Sequence, residues 1–188
     1  MQMVEKGEGI QMEASYNIAL SYETDNIKLV EKVYHYLKAE GITVFFAPAE
    51  ECQQILSGKN QREIFYEVFG LKAEFVALFV SKSYVSKEVP MEEASIAIAK
   101  HSCNGSVIPI YLDDTHLPPE LFDPKNTNYY KSDNPAQIAC HLASKIKNRI
   151  SKAQETSIDN KTGDIMNIKN NKAQKQVFVH TLNGSIEL

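Results

Sequence analysis

Tryptophan is absent from this chain of 188 residues, and cysteine occurs only three times, at Cys52, Cys103 and Cys140. Cysteines that are few, odd in number and far apart exclude a disulfide scaffold and a paired-cysteine zinc site, and they fit a reducing compartment. Basic charge has no majority either: 20 Lys and Arg face 24 Asp and Glu, a formal net charge of −4. No basic stripe runs along the chain, so nucleic acid is not an expected partner. The most basic stretch, from Lys145 to Lys152, stands at the end of a domain, where it complements a helix C-terminus. No apolar run reaches the roughly 18 residues of a membrane-spanning helix. Met1 to Glu13 is charged and lacks the apolar core of a secretory signal, so no membrane partner is expected and the cytoplasm is the expected location.

Other chemistries are also missing. The five histidines, His35, His101, His116, His141 and His180, show no metal-ligand spacing, so no metal is expected. No Ser, His and Asp set suggests a hydrolase triad, and Gly58-Lys59-Asn60 lacks the glycine-rich run of a phosphate-binding loop. What is present is 43% apolar and 23% charged, the composition of a globular protein able to bury one core of ordinary size and carry a tail.

From Tyr16 to Ile150, short β-rich runs alternate with helical patterns. Asn17 to Ser21 reads as a first strand. The helix after it places Ile27, Val30, Val33, Tyr34 and Leu37 on one face, with Thr24 or Asp25 as its cap and Gly41 as its stop. Ile42 to Phe46 is a second strand, followed by a loop over Ala47 to Gly58 and a helix from about Lys59 to Phe69. Phe75 to Val80 is the most continuously apolar run, as expected of a central parallel strand covered on both faces. A helix within Ser83 to His101 is interrupted near its start by Pro90. Val107 to Tyr111 is a fourth strand, which Pro109 puts near the sheet edge. Tyr129-Tyr130 suggests a short fifth strand, and Ala136 to Ile150 a last helix with Ile138, Leu142 and Ile146 along one side. Such alternation predicts right-handed crossovers and a flavodoxin-like, doubly wound parallel sheet of five strands. Ligands of such sheets bind beyond the carboxyl ends of the strands, so chemistry is expected in the loops after Leu20, Phe46 and Val80.

The domain is therefore expected over residues 14–150. Residues 151–175 are polar and read as a linker, and residues 176–188 as a β-hairpin turned at Asn183-Gly184 and belonging to an oligomerising or sensing region.

Ile18 to Tyr22 followed by Thr24-Asp25, then Gly58-Lys-Asn, Ala73 to Val80, Ser81-Lys-Ser-Tyr84 and Ile108 to Thr115 with Leu117-Pro118 form an ordered set over about 135 residues. In order and spacing this set resembles the bacterial Toll/interleukin-receptor (TIR) domains. The resemblance implies an NAD+-cleaving domain, a glycohydrolase, a cyclase or both, with NAD+ as substrate rather than bound cofactor. It also implies self-association between TIR domains and a place in bacterial defence against phage. In that family a tryptophan followed four residues later by the catalytic glutamate opens the third helix. The corresponding run here is Lys87 to Glu93, so the resemblance makes Glu93 the catalytic residue and puts Val89 where the tryptophan would wall the nicotinamide pocket.

A carboxylate suits the reaction. Cleaving the bond between ribose and nicotinamide builds an oxocarbenium-like sugar and releases a neutral pyridine. No strong general acid is needed, whereas a negative group facing the developing positive charge stabilises the transition state. Ser21 and Tyr22, at the ligand-facing end of the first strand, are candidate substrate contacts, with Phe46 as a base platform, Lys87 for phosphate and Val89 beside the nicotinamide. The Ala47 to Gly58 loop, with Glu50, Glu51, Ile55 and Leu56, is the candidate assembly surface; at about a dozen residues it exceeds ordinary connections. The plain structural roles are a macrodipole-favoured helix acid for Glu93, core packing for Phe46, and a surface connection for the loop. With Val89 in place of tryptophan, the competing function is a catalytically silent TIR scaffold that acts by self-association and partner binding. A phosphorelay receiver is excluded, because Val80-Ser81 stands where its aspartate would be.

Overall fold

The computed structural model describes residues 15–101, 105–123 and 128–154. The chain falls into two compact units divided after Ser144. In the first, strand β1 is Tyr16–Ser21, helix α1 is Ile27–Ala39, β2 is Val44–Phe45 and α2 is Glu50–Leu56. Helix α3, Gln61–Glu67, runs into a wide π turn, Val68–Lys72, and then β3, Ala73–Val80. The short helix α4, Lys82–Val85, is followed by α5, Glu88–His101, then β4, Val107–Tyr111, and β5, Tyr130–Lys131. A further helix, α6, begins at residue 135. In the second unit, residues 145–154 are helical, with Ile146 buried.

All five strands are parallel, in the order β2-β1-β3-β4-β5, the doubly wound arrangement expected. β1 and β3 form its centre. Ile18 and Ala19 pair with Phe75 and Val76, and all four are wholly buried. Every residue of β3 except Glu74 is buried, as a strand covered by helices on both faces requires. Helix α1 turns Val30, Val33, Tyr34 and Leu37 inward at the predicted spacing. Gly41 lies at φ 75°, a left-handed conformation that a residue with a Cβ adopts only at a cost, and the helix stops there.

Several boundaries differ from the sequence expectation, each for a local reason. The segment from Ala47 to Gly58 is not a loop: most of it is α2. Pro48 before it and Gly58 after it resemble loop punctuation. Between them Glu50 and Glu51 occupy the first turn, where acids complement the macrodipole, and Gln53, Gln54 and Leu56 are good helix formers. The break in the third helical region lies at Ser86–Lys87 rather than at Pro90. Pro90 sits in the first turn of α5, where its missing N–H would have had no partner in the helix. Neither Thr24 nor Asp25 caps α1; Thr24–Asn26 is a turn of 3₁₀ helix leading into it. Pro109 pairs with Leu78 on the β3 side and precedes the residues of β4 that pair with β5, so the proline is one strand in from the edge, beside a gap in the ladder. Residues 151–154 continue the helical stretch where a linker is expected, since Lys152, Ala153 and Gln154 favour helix and no breaker intervenes. The remainder of the expected linker and the expected hairpin at 176–188 lie outside the described residues.

Candidate active site

A cavity of about 330 Å³ opens beyond the carboxyl ends of β1 and β2. Leu20, Phe45, Ile64, Phe65 and Phe69 give it an apolar floor and side wall, and Leu56 and Val89 close it from α2 and α5. Its polar lining is Tyr22, Thr24, Lys59, Gln61 and Glu93. A concave, mostly apolar space with few converging polar groups is the form of a small-molecule site, and this volume lies at the small end of the usual range.

Glu93 is the only carboxylate on that lining. The helix that carries it packs over the end of β1, where Ser21, wholly buried, lies 2.6 Å from Glu93 Oε2 through its Oγ. On its other side Ser21 Oγ lies 2.7 Å from the hydroxyl of Tyr84, also wholly buried. That hydroxyl donates in turn to the Pro90 carbonyl at 3.0 Å. Removal from water is the main influence on Glu93 and raises its pKa from 4.5 to about 8. The Ser21 hydrogen bond opposes this, while the nearby charges of Glu23 and Glu92 add to it. Tyr22 and Tyr84 are likewise pushed up, first by burial and then by the charge of Glu93. The loops at this edge are tied together: the Asn26 side chain donates to Ser81 Oγ at 3.0 Å, and the backbone N–H of Lys82 donates to Asp113 at 3.0 Å.

The structure brings four of the expected site residues together. Glu93, Tyr22 and Val89 line the cavity, and Ser21 lies behind Glu93 rather than on the wall. Val89 is 41% exposed, so the position where the family resemblance implies a tryptophan lies at the cavity's edge. Phe46 is not on the lining; it is buried in a stack with Tyr34, 5.0 Å between centroids, and touches Tyr22 at 5.6 Å. Phe45 takes the lining position instead. Lys87 is exposed and off the lining, and Lys59 is the cation that reaches it. Of the expected assembly residues, Glu51 accepts from the Tyr34 hydroxyl at 2.9 Å and from Lys38 at 3.4 Å. Its pKa is lowered, first by its own backbone N–H and then by Tyr34. Glu50 is exposed, Ile55 is 38% exposed, and Leu56 folds back onto the cavity. Sequence reasoning missed Lys59 and Gln61. The available signal was their place at the start of a helix, Lys59 just before it and Gln61 as its first residue.

A parallel sheet in the order β2-β1-β3-β4-β5 defines a doubly wound α/β domain. The chain belongs to the TIR domain family, whose model matches residues 18–142. It is 31% identical over 137 residues to a protein named 3′ cyclic ADP-D-ribose synthase AaTIR, from Aquimarina amphilecti. That match covers 70% of this chain and 40% of the relative, so the chain spans well under half the relative's length. Among solved structures it resembles a metazoan TIR-STING receptor from C. gigas, with a TM-score of 0.55 and 19% identity. That likeness covers 71% of this chain and 40% of the receptor and bears on the fold alone.

The raised pKa of Glu93 has a consequence for stability. Between the unfolded value near 4.5 and the folded value near 8, the unfolded chain releases this proton while the folded protein keeps it, so stability falls as pH rises through that window. Glu93→Gln removes the effect. The variant is expected to match wild type at pH 4 and to exceed it by about 1–3 kcal/mol at pH 8, a figure discounted because the carboxyl opens onto the cavity. Thermal unfolding of both proteins across pH 4–9 checks this; a difference that does not change with pH contradicts it.

Proposed function

We propose that this domain cleaves NAD+ between ribose and nicotinamide, as a glycohydrolase, a cyclase or both, with Glu93 as the catalytic residue. The observation that carries the reading is the placement of a half-buried Glu93 on the wall of a largely apolar cavity, backed by Ser21. The name of the relative, a cyclic ADP-ribose synthase, supports the same chemistry.

The cavity's volume suits the nicotinamide riboside half of the substrate, with the pyrophosphate and adenosine reaching outward past Lys59 and Gln61. The nicotinamide ring of NAD+ is cationic, so its arrival beside Glu93 favours the ionised carboxylate that burial disfavours in the empty site. Once ionised, Glu93 faces the ribose as positive charge develops at the anomeric carbon, and a carboxylate in a water-poor site stabilises that charge strongly. Phe45, Phe65 and Val89 exclude water from the departing base. Water or a hydroxyl of the substrate itself then captures the sugar, giving ADP-ribose or a cyclic product. Release of either product from NAD+ fits a role in bacterial defence against phage, which forms part of this proposal.

Glu93→Ala is expected to abolish NAD+ loss, by about 100-fold or more, while the protein remains folded. Incubation of both proteins with NAD+, with products resolved by chromatography, checks this and identifies the product. Activity of the variant within a few-fold of wild type would remove Glu93 from the mechanism.

Self-association is the second part of the proposal. Ile55 remains exposed on α2, beside the cavity-lining Leu56, where a second copy can cover it and complete the site. Specific activity is expected to rise with protein concentration, and Ile55→Asp to suppress that rise without unfolding the protein. Rate per molecule across a hundredfold dilution, with light scattering alongside, checks this. A flat rate from a monomer contradicts it.

A further inference from the structure

Three hydroxyl or carboxyl groups stand in line behind the cavity wall, and their protons cannot be placed independently. Ser21 Oγ is 2.6 Å from Glu93 Oε2 and 2.7 Å from the Tyr84 hydroxyl, which is 3.0 Å from the Pro90 carbonyl. Ser21 and Tyr84 are wholly buried, so no bulk water is at hand to mend a broken link. Each hydroxyl has one proton to donate. When Glu93 is ionised it has none, so Ser21 must donate to it, and the 2.7 Å contact is then satisfied only if Tyr84 donates to Ser21. Pro90 loses nothing essential, because a carbonyl in the first turn of a helix also accepts from the amide four residues on. When Glu93 carries a proton on Oε2, the oxygen that faces Ser21, the polarity is opposite: Glu93 donates to Ser21, Ser21 to Tyr84, and Tyr84 to Pro90. Both directions are complete, and the heavy atoms need not move between them.

We propose that Ser21 and Tyr84 form a reversible hydroxyl chain that orients the Glu93 carboxyl toward the cavity and turns its polarity over whenever that carboxyl gains or loses a proton. The chain rests on the preceding reading only in taking Glu93 as the catalytic group. Ser21 and Tyr84 are positioning residues, since Ser21 lies behind the wall and Tyr84 reaches Glu93 through it. The chain lets a site that is neutral when empty accept a cationic substrate without rebuilding its hydrogen bonds. Its neighbours act from every side. Glu23 beyond β1 and Glu92 on α5 oppose ionisation, Arg62 of α3 is occupied with Glu92 at 3.3 Å, and Lys59 and Tyr22 share the cavity wall with Glu93. None of these changes in the substitutions below.

The proposal gives two substitutions opposite effects. Ser21→Ala removes the donor to the ionised carboxylate and raises the Glu93 midpoint. Tyr84→Phe removes the acceptor at the far end, so the protonated arrangement strands the Ser21 proton, and the midpoint falls although Tyr84 reaches Glu93 only through Ser21. The 10–30% strengthening that Tyr84 lends the ionised chain by polarisation is lost as well, but an orphaned buried donor is the larger effect. The test is a carbon-13 NMR titration of the full chain, labelled at the glutamate carboxyls, without NAD+, with the signal assigned through Glu93→Gln. A fall of about 0.5–1 pH unit in Tyr84→Phe and a comparable rise in Ser21→Ala are expected. An unchanged or raised midpoint in Tyr84→Phe, or an unchanged or lowered one in Ser21→Ala, overturns the chain. Should Tyr84→Phe not fold, the smaller Ser21→Ala change decides on the same criterion. Opposite shifts in a protein that does not consume NAD+ would leave the chain standing and remove the enzymatic reading; unshifted titrations in an active enzyme would do the reverse.

Discussion

The hydrogen bond between Ser21 and Glu93, 2.6 Å long, joins the end of the central strand β1 to helix α5. The carboxylate can be aimed into the cavity only because β1 carries Ser21 to that depth in a fully buried register beside Leu78 of β3. It also requires α5 to begin after Ser86–Lys87 with Pro90 in its first turn, which offers the Pro90 carbonyl to Tyr84. Without the five-stranded sheet neither element has a fixed position. Without that bond, Glu93 is one more acid near the start of a helix.

Desolvation of that carboxyl opposes stability, and the Ser21 bond works against the effect. A carboxyl pushed to about 8 by burial is a group the fold would lose nothing by giving up, whereas its neighbours Glu50 and Glu88 remain exposed at helix starts, where acids are ordinary. Strongly perturbed carboxyls that line cavities are typical of catalytic groups rather than of packing. In the proposed reaction the apolar wall that raises the pKa would also keep water from the sugar, so one arrangement of Leu20, Phe45, Phe65 and Phe69 would serve both purposes.

The fold was legible because its pattern is repetitive. The apolar run at β3 and the one-sided spacing of α1 read directly as buried strand and amphipathic helix. The site was less so, and the failures have physical causes. Glu93 stands among Glu88 and Glu92 with nothing in local spacing to separate them; only the register of the family resemblance singles it out, and its place on the cavity wall beside Ser21 is a tertiary fact. Phe45 ends the two-residue strand β2 and Phe46 follows it, a run too short for alternation to say which faces the cavity. The family resemblance points to Lys87 for phosphate, but Lys87 precedes the helix and is exposed, while Lys59, distant in sequence, arrives with the turn before α3. Helix α2 was hidden by Pro48 and Gly58, whose turn chemistry describes the ends of that segment and not its middle.

The central claim is that a half-buried Glu93, protonated in the empty site, must ionise for the proposed cleavage of NAD+. The most direct measurement is the pH dependence of kcat/KM and of kcat for NAD+ between pH 5.5 and 9.5. Since kcat/KM reports the free enzyme, it should rise with pH through a midpoint near 8, where the empty site places Glu93. The rise in kcat should come at lower pH, because the cationic nicotinamide favours the carboxylate in the complex. A kcat/KM that is flat across this range, or that falls as pH rises through 8, would contradict the account.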